Sequence, residues 1–142
     1  MQTPHRDVTP FATTRRPLDP TVVAPDGSDV RVLLALPRGS MAEFELAAGR
    51  VSAAVTHRTV EEIWYVQHGR GEMWRRQGAR EEVVALEPGL CLTIPQGTHF
   101  QFKALDGGAL RVLAITMPPW PGADEAIVVA GPWPPTASPS AR

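Results

Sequence analysis

Histidine and carboxylate side chains that could carry chemistry stand at two places in this sequence. His57 is followed after three residues by the neighbouring carboxylates Glu61 and Glu62, and His99 follows a segment with Pro95 and Gly97. Imidazole and carboxylate groups can transfer protons and can ligate divalent metal ions. These residues are therefore the first candidates for a functional site.

Other reactive side chains offer less. Cys91 is the only cysteine, so no internal disulfide can form, and its place in the apolar run 90–94 predicts a buried, inert thiol. His5 lies among prolines and His68 beside Gly69, so we assign neither a role. No Ser-His-Asp or Cys-His arrangement is indicated by the spacing of these residues.

Short β-strands are the elements that must position His57 and His99. Runs rich in Val, Ile, Leu, Phe and Trp are separated by Gly, Pro and Asp, and the chain shows no convincing amphipathic helix. We predict strands at 30–36, 40–47, 51–57, 61–67, 71–76, 80–86, 90–94, 98–104 and 109–117. Their close, even spacing favours an all-β antiparallel sandwich or barrel over alternating β-α units.

Alternation within the strand at 98–104 places polar residues on one face and aromatic residues on the other. The polar face carries His99, Gln101 and Lys103. We interpret this polar face as the lining of a pocket and the apolar back as a covered surface. The N-terminal arm, an added strand or a second subunit could supply the cover, which predicts a homodimer.

The segment at 89–103 resembles the second cupin motif. It reads Gly-Leu-Cys-Leu-Thr-Ile-Pro-Gln-Gly-Thr-His-Phe-Gln-Phe-Lys. The cupin motif has a Gly, five residues, then Pro-x-Gly-x-x-His, with an Asn usually four residues later. We align His99 with the motif histidine and Lys103 with the asparagine, and the His-Phe-Gln-Phe wording is similar to that of germin-like cupins.

A partial first cupin motif lies upstream. That motif has His-x-His, three or four residues, a Glu, and a Gly some six residues later. Without a gap, Val55 stands at the first histidine, His57 at the second and Gly69 at the glycine, with Glu62 or Glu61 as the carboxylate. A one-residue gap would instead make His57 the first histidine and leave Thr59 in place of the second. One expected ligand is absent in either alignment.

The resemblance implies a small, single-domain cupin β-barrel (a jelly roll, RmlC-like) with a divalent metal, Fe, Mn, Ni, Cu or Zn, and a small organic molecule in its pocket. His57, Glu62 and His99 would hold the metal, and two imidazoles with one carboxylate form a known donor set. Glu62, Glu61 and Gln101 would be the catalytic candidates. The implied activity is that of a metal-dependent oxygenase, isomerase or lyase. The alternative is a non-catalytic barrel that binds a sugar or metabolite and has lost the full metal site.

Composition sets the remaining expectations. Prolines among residues 1–20 and 131–142 indicate extended arms around a cupin barrel at 21–130. The 14 basic and 15 acidic residues nearly cancel, which argues against a nucleic-acid partner. No apolar run is long enough to span a membrane, and the N-terminus lacks the apolar stretch of a secretory signal, so we expect a cytoplasmic protein.

Overall fold

The computed structural model describes residues 8–136 and contains eleven β-strands and one short 3-10 helix. The strands in chain order are β1 (Val22–Val23), β2 (Asp29–Leu36), β3 (Gly39–Leu46), β4 (Val55–His57), β5 (Glu61–His68), β6 (Gly71–Gln77), β7 (Arg80–Leu86), β8 (Cys91–Ile94), β9 (His99–Ala104), β10 (Leu110–Met117) and β11 (Ala126–Val128). The 3-10 helix, Ala123–Glu125, precedes β11.

Two antiparallel sheets face each other. The six-stranded sheet has the order β1-β2-β3-β10-β5-β8, and the five-stranded sheet has the order β11-β4-β9-β6-β7. The nine predicted runs correspond to β2–β10, with β4 shorter than expected. The two strands that were not predicted, β1 and β11, are only two and three residues long and pair with β2 and β4. Within residues 8–136, no helix is long and apolar enough to cross a membrane.

An aromatic cluster around Trp64 fills the space between the sheets. Trp64 is fully buried, and its ring makes edge-to-face contacts with Phe44 at 5.6 Å, Phe102 at 5.0 Å and Phe100 at 6.3 Å between ring centroids. Aromatic pairs in this geometry contribute about 0.5–1.5 kcal/mol each beyond the burial of their area. The cluster joins both sheets, because Trp64 lies on β5 and Phe100 and Phe102 lie on β9.

Both chain ends described by the structure are tied to the outer faces of the sheets. On the six-stranded sheet, Arg16 pairs with the buried Glu43, and Arg31 donates to Glu43 and to the carbonyl oxygens of Pro17 and Leu18. On the five-stranded sheet, residues 129–136 cross β9 and form a segment that we call the C-terminal strap.

Gln101 anchors the C-terminal strap. Its Nε2 donates to the carbonyl oxygens of Ser52 at 2.8 Å and Trp133 at 2.7 Å, and the Trp133 N–H donates to Oε1 at 3.1 Å. Lys103 adds a cation–π contact, with Nζ 4.3 Å from the centroid of the Trp133 ring. Gln101 is therefore fully buried under the strap, on the side of β9 away from the core.

Cys91 is exposed, which corrects the expectation of a buried thiol. The apolar run around it is a strand whose residues alternate, with Leu92 and Ile94 in the core and Cys91 and Thr93 outside. A continuous apolar run in the sequence therefore does not indicate burial on both faces when the strand lies at a sheet edge.

Replacing Gln101 by Leu tests its structural role. We expect Gln101→Leu to lower the free energy of unfolding by about 2 kcal/mol or more, because it leaves buried backbone groups of Ser52 and Trp133 without partners. Urea unfolding measures this loss, and limited proteolysis should show earlier cleavage in the C-terminal strap. Lys103→Met is the control and should cost only about 0.5–1 kcal/mol. Wild-type stability in Gln101→Leu would show that the strap does not depend on this residue.

Candidate functional site

His57 and Glu62 meet in the interior between the two sheets. β4 and β5 belong to different sheets and are joined by the short turn at 58–60, so residues at their facing ends point toward each other. Nδ1 of His57 lies 3.1 Å from Oε2 of Glu62, and the two side chains are 6% and 1% exposed. Glu61 precedes Glu62 and points to the outside by strand alternation. Of the two candidate carboxylates, Glu62 is therefore the one beside His57.

The imidazole of His57 is buried. Burial lowers the pKa of His57 to about 4, although the nearby carboxylate of Glu125 opposes this shift. The side chain is therefore neutral at pH 7, and its contact with Glu62 is not an ion pair there. Nδ1 makes no hydrogen bond with good geometry, whereas Oε1 of Glu62 accepts one from Nε1 of Trp64 at 3.1 Å.

Glu125 clamps the turn that joins β4 and β5 beside this site, and the local sequence contained no signal for it. Its carboxylate accepts hydrogen bonds from the backbone N–H of Thr59 at 2.9 and 3.0 Å, from the N–H of Val60 at 3.1 Å, and from the Thr59 hydroxyl. Burial raises the pKa of Glu125, but these hydrogen bonds outweigh it and hold the pKa below its usual value. The residue that clamps the 58–60 turn is thus 65 and 66 positions away from its partners.

Trp120 covers the pair of His57 and Glu62. Its ring makes an edge contact with the imidazole at 5.1 Å, and its backbone N–H donates to Oγ of Ser40 at 3.1 Å. The cavity left beneath it has a volume of about 10 Å³ and is lined by Ala24, Pro25, Asp26, Phe44, Val55, His57, Glu62, Phe100, Trp120 and Ala126. A volume of this size holds about one water molecule.

His99 does not line this cavity. It is half-buried on the face of β9 away from the core, where Nδ1 lies 3.4 Å from Nη2 of Arg76. Phe100 and Phe102 face the core instead. The predicted division of β9 into a polar and an apolar face is present, but the assignment of the polar face to the interior is wrong. The core between the sheets is filled mainly by apolar side chains, Phe100 and Phe102 among them, and the C-terminal strap covers part of the polar face.

A count of residues explains the difference. The cupin motif Pro-x-Gly-x-x-His has two residues between its glycine and its histidine, whereas this chain has only Thr98 between Gly97 and His99. The histidine position of the motif is therefore Phe100. Since side chains alternate along a strand, a shift of one residue moves a side chain to the opposite face.

The residues present do not fit the divalent metal centre that the resemblance implies. The ungapped first motif and the corrected second motif place Val55, His57, Glu62 and Phe100 at the four ligand positions, and only two of these can ligate. Among residues 8–136, no group of three His, Cys, Asp or Glu side chains is arranged to hold a metal ion. His57 and Glu62 are thus brought together without His99, and Gln101 and Glu61 lie outside the cavity.

A larger polar cleft lies on the other side of Phe100 from His57. In the five-stranded sheet, Phe100 pairs with Val55 on β4 and with Arg75 on β6, so it stands between the buried pair and this cleft. The cleft has a volume of about 150 Å³ and is lined by Arg75, Gln77, Arg80, Glu82, Thr93, Pro95 and Thr98. We call it the Arg75 cleft.

The guanidinium of Arg75 reaches from one sheet to the edge of the other. Nη1 donates to the carbonyl oxygen of Thr93 at 2.8 Å and Nη2 to Glu82 at 2.6 Å, while Nε is buried without a hydrogen-bond partner. Nε2 of Gln77 donates to Oγ1 of Thr98 at 3.0 Å. The cleft therefore combines a fixed guanidinium, its carboxylate partner Glu82 and neutral polar groups, and the sequence analysis assigned none of these residues a functional role.

The lowered pKa of His57 predicts a loss of stability in acid. In the unfolded chain the pKa of His57 is about 6.5. Between about pH 6.5 and pH 4 the unfolded chain therefore binds more protons than the folded chain, so the free energy of unfolding decreases as the pH is lowered. We expect the wild type to lose about 2 kcal/mol of unfolding free energy from this group by about pH 5, and His57→Asn to lose less. Urea unfolding across this range measures both slopes.

A variant that is destabilised for another reason is the control for this experiment. Ile94→Val removes a methylene from the core, so it should cost about 1 kcal/mol at every pH and leave the slope unchanged. Equal slopes in the wild type and His57→Asn would contradict the buried, neutral state of this histidine.

Comparison with known proteins agrees with the two-sheet architecture. The cupin domain family matches residues 42–116, which is 75 of the 142 residues. No curated protein matches the chain in sequence. Three of the solved structures that share the fold illustrate the likeness. KdgF from Halomonas sp. is 25% identical with a TM-score of 0.59, over 70% of this chain and 87% of that one. Peruvianin-I, a cysteine peptidase from Thevetia peruviana latex, is 17% identical with a TM-score of 0.65, over 78% and 72% of the two chains. BH2720 from Bacillus halodurans is 18% identical with a TM-score of 0.59, over 68% and 73%. Because the family match covers more than half of the sequence, the chain belongs to the cupin family.

Proposed function

We propose that this chain is a cupin that binds a small organic molecule and works without the divalent metal centre that the cupin resemblance implies. This proposal rests on which residues stand at the four ligand positions of the cupin motifs. Val55 and Phe100 are buried apolar residues that pair across β4 and β9, and the Phe100 ring lies 5.2 Å from the imidazole of His57. A cation placed beside His57 and Glu62 would thus meet hydrocarbon on the side where two further imidazoles are needed.

Binding accounts for the geometry better than catalysis by His57 and Glu62. A general acid or base must come within hydrogen-bond reach of the reacting atoms, directly or through one water. The cavity beside His57 has room for about one water, and Trp120 closes it. A metal-dependent oxygenase, isomerase or lyase would need a third ligand and a substrate space here. The pair of His57 and Glu62 supports the end of the barrel instead.

The Arg75 cleft is the place we assign to the ligand. Its charged groups are two guanidinium groups, of Arg75 and Arg80, and one carboxylate, of Glu82, so it has an excess of positive charge. Arginine forms strong, directional hydrogen bonds with carboxylate and phosphate groups. Gln77 and Thr98 add neutral donors and acceptors. These groups suit a small organic anion that carries hydroxyl groups.

Metal analysis tests the proposal directly. We expect the wild type, purified without chelator or affinity tag, to hold no stoichiometric Fe, Mn, Ni, Cu or Zn by mass spectrometry and to gain no thermal stability from added Zn²⁺ or Ni²⁺. The variant Val55→His with Phe100→His restores three histidines and one glutamate. If it remains folded by circular dichroism, metal at about 100 times its Kd should add about 2.7 kcal/mol of stability.

Two further variants separate a restored site from adventitious binding. Adding Glu62→Gln to the double variant should weaken metal binding, because it removes the carboxylate ligand. His99→Ala should leave the behaviour of the wild type toward metal unchanged, since His99 lies on the other face of β9. One equivalent of metal in the wild type that disappears in His57→Ala would overturn the proposal.

Ligand binding in the Arg75 cleft is tested with citrate, malate and inorganic phosphate as probes and glucose as a neutral comparison. We expect at least one anion to raise the melting temperature of the wild type with a saturable dose dependence. Arg75→Gln should weaken that binding about tenfold or more, because a hydrogen bond to a charged group contributes about 1.5–3 kcal/mol.

Arg38→Gln is the matched control for charge, because Arg38 is exposed in the turn between β2 and β3. It should leave the affinity for the anion close to the wild-type value. Equal losses in the two variants would indicate general electrostatic attraction rather than a site, and no effect of any anion would count against this ligand class.

A further inference from the structure

A carboxylate of the chain itself is bound to the guanidinium of Arg75. Glu82 stands directly opposite Arg75 in the pairing of β6 with β7, and its Oε1 accepts a hydrogen bond from Nη2 of Arg75 at 2.6 Å. An anionic ligand in the Arg75 cleft would bind the same guanidinium, because arginine prefers carboxylate and phosphate groups. Glu82 therefore stands where the anionic group of such a ligand is expected to bind.

The hydrogen bonds of Arg75 show which of its contacts is fixed and which can be exchanged. Nη1 is held by the backbone carbonyl oxygen of Thr93 on β8 at 2.8 Å. Nη2 and Nε lie along the other edge of the guanidinium. Glu82 accepts from Nη2 alone, and among residues 8–136 Nε has no hydrogen-bond partner.

This edge of the guanidinium favours an incoming anion over Glu82. Arginine and carboxylate groups frequently form two parallel hydrogen bonds. A ligand carboxylate that accepts from both Nη2 and Nε of Arg75 would thus gain one hydrogen bond over the present arrangement. Thr93 keeps the guanidinium in place during the exchange, since its carbonyl oxygen binds the opposite nitrogen.

The position of Glu82 allows it to leave Arg75 at little cost. It lies on β7, the edge strand of the five-stranded sheet, and its side chain is 45% exposed, whereas that of Arg75 is 20% exposed. Rotation of the Glu82 side chain away from Arg75 moves the carboxylate into water. The departure therefore buries no charge.

Arg80 offers the displaced carboxylate a second partner. It precedes Glu82 by two residues on β7, so the two side chains lie on the same face of the strand. Nη2 of Arg80 is 3.9 Å from Oε2 of Glu82, an ionic contact that is too long for a hydrogen bond. The Arg80 side chain is 78% exposed, so a rotation of either side chain can shorten this distance.

We propose that Glu82 is an intramolecular competitor for the ligand of the Arg75 cleft: an anion displaces its carboxylate from Arg75, and Glu82 then pairs with Arg80. This inference rests on the proposed binding of an organic anion in the cleft. The exchange gives Arg75 a negative partner both without and with ligand. It also sets selectivity, because a ligand must bind Arg75 more strongly than the tethered carboxylate does, which favours groups that accept two hydrogen bonds.

The affinities of malate, citrate and inorganic phosphate for Glu82→Gln test the competition. The glutamine keeps an oxygen that accepts from Nη2, but a hydrogen bond to a neutral acceptor is about half as strong as one to a carboxylate. We therefore expect titration calorimetry to show at least one anion bound about tenfold more tightly than by the wild type. Adding Arg75→Gln should abolish the gain. If Glu82 only positions Arg75, its loss should weaken binding instead.

Glu87→Gln is the matched control for the lost charge. Glu87 also accepts from an arginine, Nη1 of Arg70 at 3.1 Å, but it is not among the residues that line the cleft. Its affinity for each anion should stay within about twofold of the wild-type value, since exposed ion pairs have small effects. Equal gains in Glu82→Gln and Glu87→Gln would reflect the net charge of the protein and would overturn the proposal.

A double-mutant cycle with Arg80→Gln tests the exchange of partners. In the wild type this substitution should weaken anion binding about two- to fivefold, the range for an exposed ion pair. In the Glu82→Gln background it should have no effect, because no displaced carboxylate needs a partner there. An equal loss in both backgrounds would show that Arg80 contacts the ligand itself and that the exchange does not occur.

Failure of this inference and failure of the proposed function give different results. If malate, citrate and phosphate bind neither the wild type nor Glu82→Gln, both are overturned. If an anion binds the wild type through Arg75, and Glu82→Gln binds it equally well or more weakly, the ligand site stands and the role assigned to Glu82 is wrong.

Discussion

The aromatic packing around Trp64 is the constraint on which the rest of the structure depends. Trp64 on β5 contacts Phe100 and Phe102 on β9, and these contacts join the two sheets. Since strand side chains alternate, burying these two rings forces His99, Gln101 and Lys103 to the opposite face. The burial of these two rings therefore determines which polar groups of β9 can reach the interior and which lie on the outer face.

Both sides of β9 show the consequences. Inside, Phe100 separates the buried pair of His57 and Glu62 from the Arg75 cleft. Burial of His57 on its side of Phe100 lowers its pKa and keeps the imidazole neutral. Outside, Gln101 meets the backbone of the C-terminal strap. Gln101 and Lys103, on the outer face of β9, thus hold the C-terminal strap on the sheet.

Strand positions could be predicted from local patterns, because runs of β-branched and aromatic residues between glycines and prolines have few alternatives. The prediction of strands succeeded for β2–β10, and the predicted alternation places Glu62 on the same face of β5 as Trp64 and Val66. It missed β1 and β11, which exist only through pairing with β2 and β4. It also missed Glu125, because a clamp that joins residues far apart in the chain leaves no local signal.

The sequence by itself determined the fold family, the strand order along the chain and the residue types at the ligand positions, since motif spacing and alternation are properties of the linear chain. Only the tertiary structure decided which face of β9 lies inside, that Trp120 leaves room for one water, and that Arg75 spans two sheets. These depend on contacts between residues distant in sequence. The burial of Phe100 rather than His99 reflects the free energy gained when an aromatic ring leaves water, which no count of ligands includes.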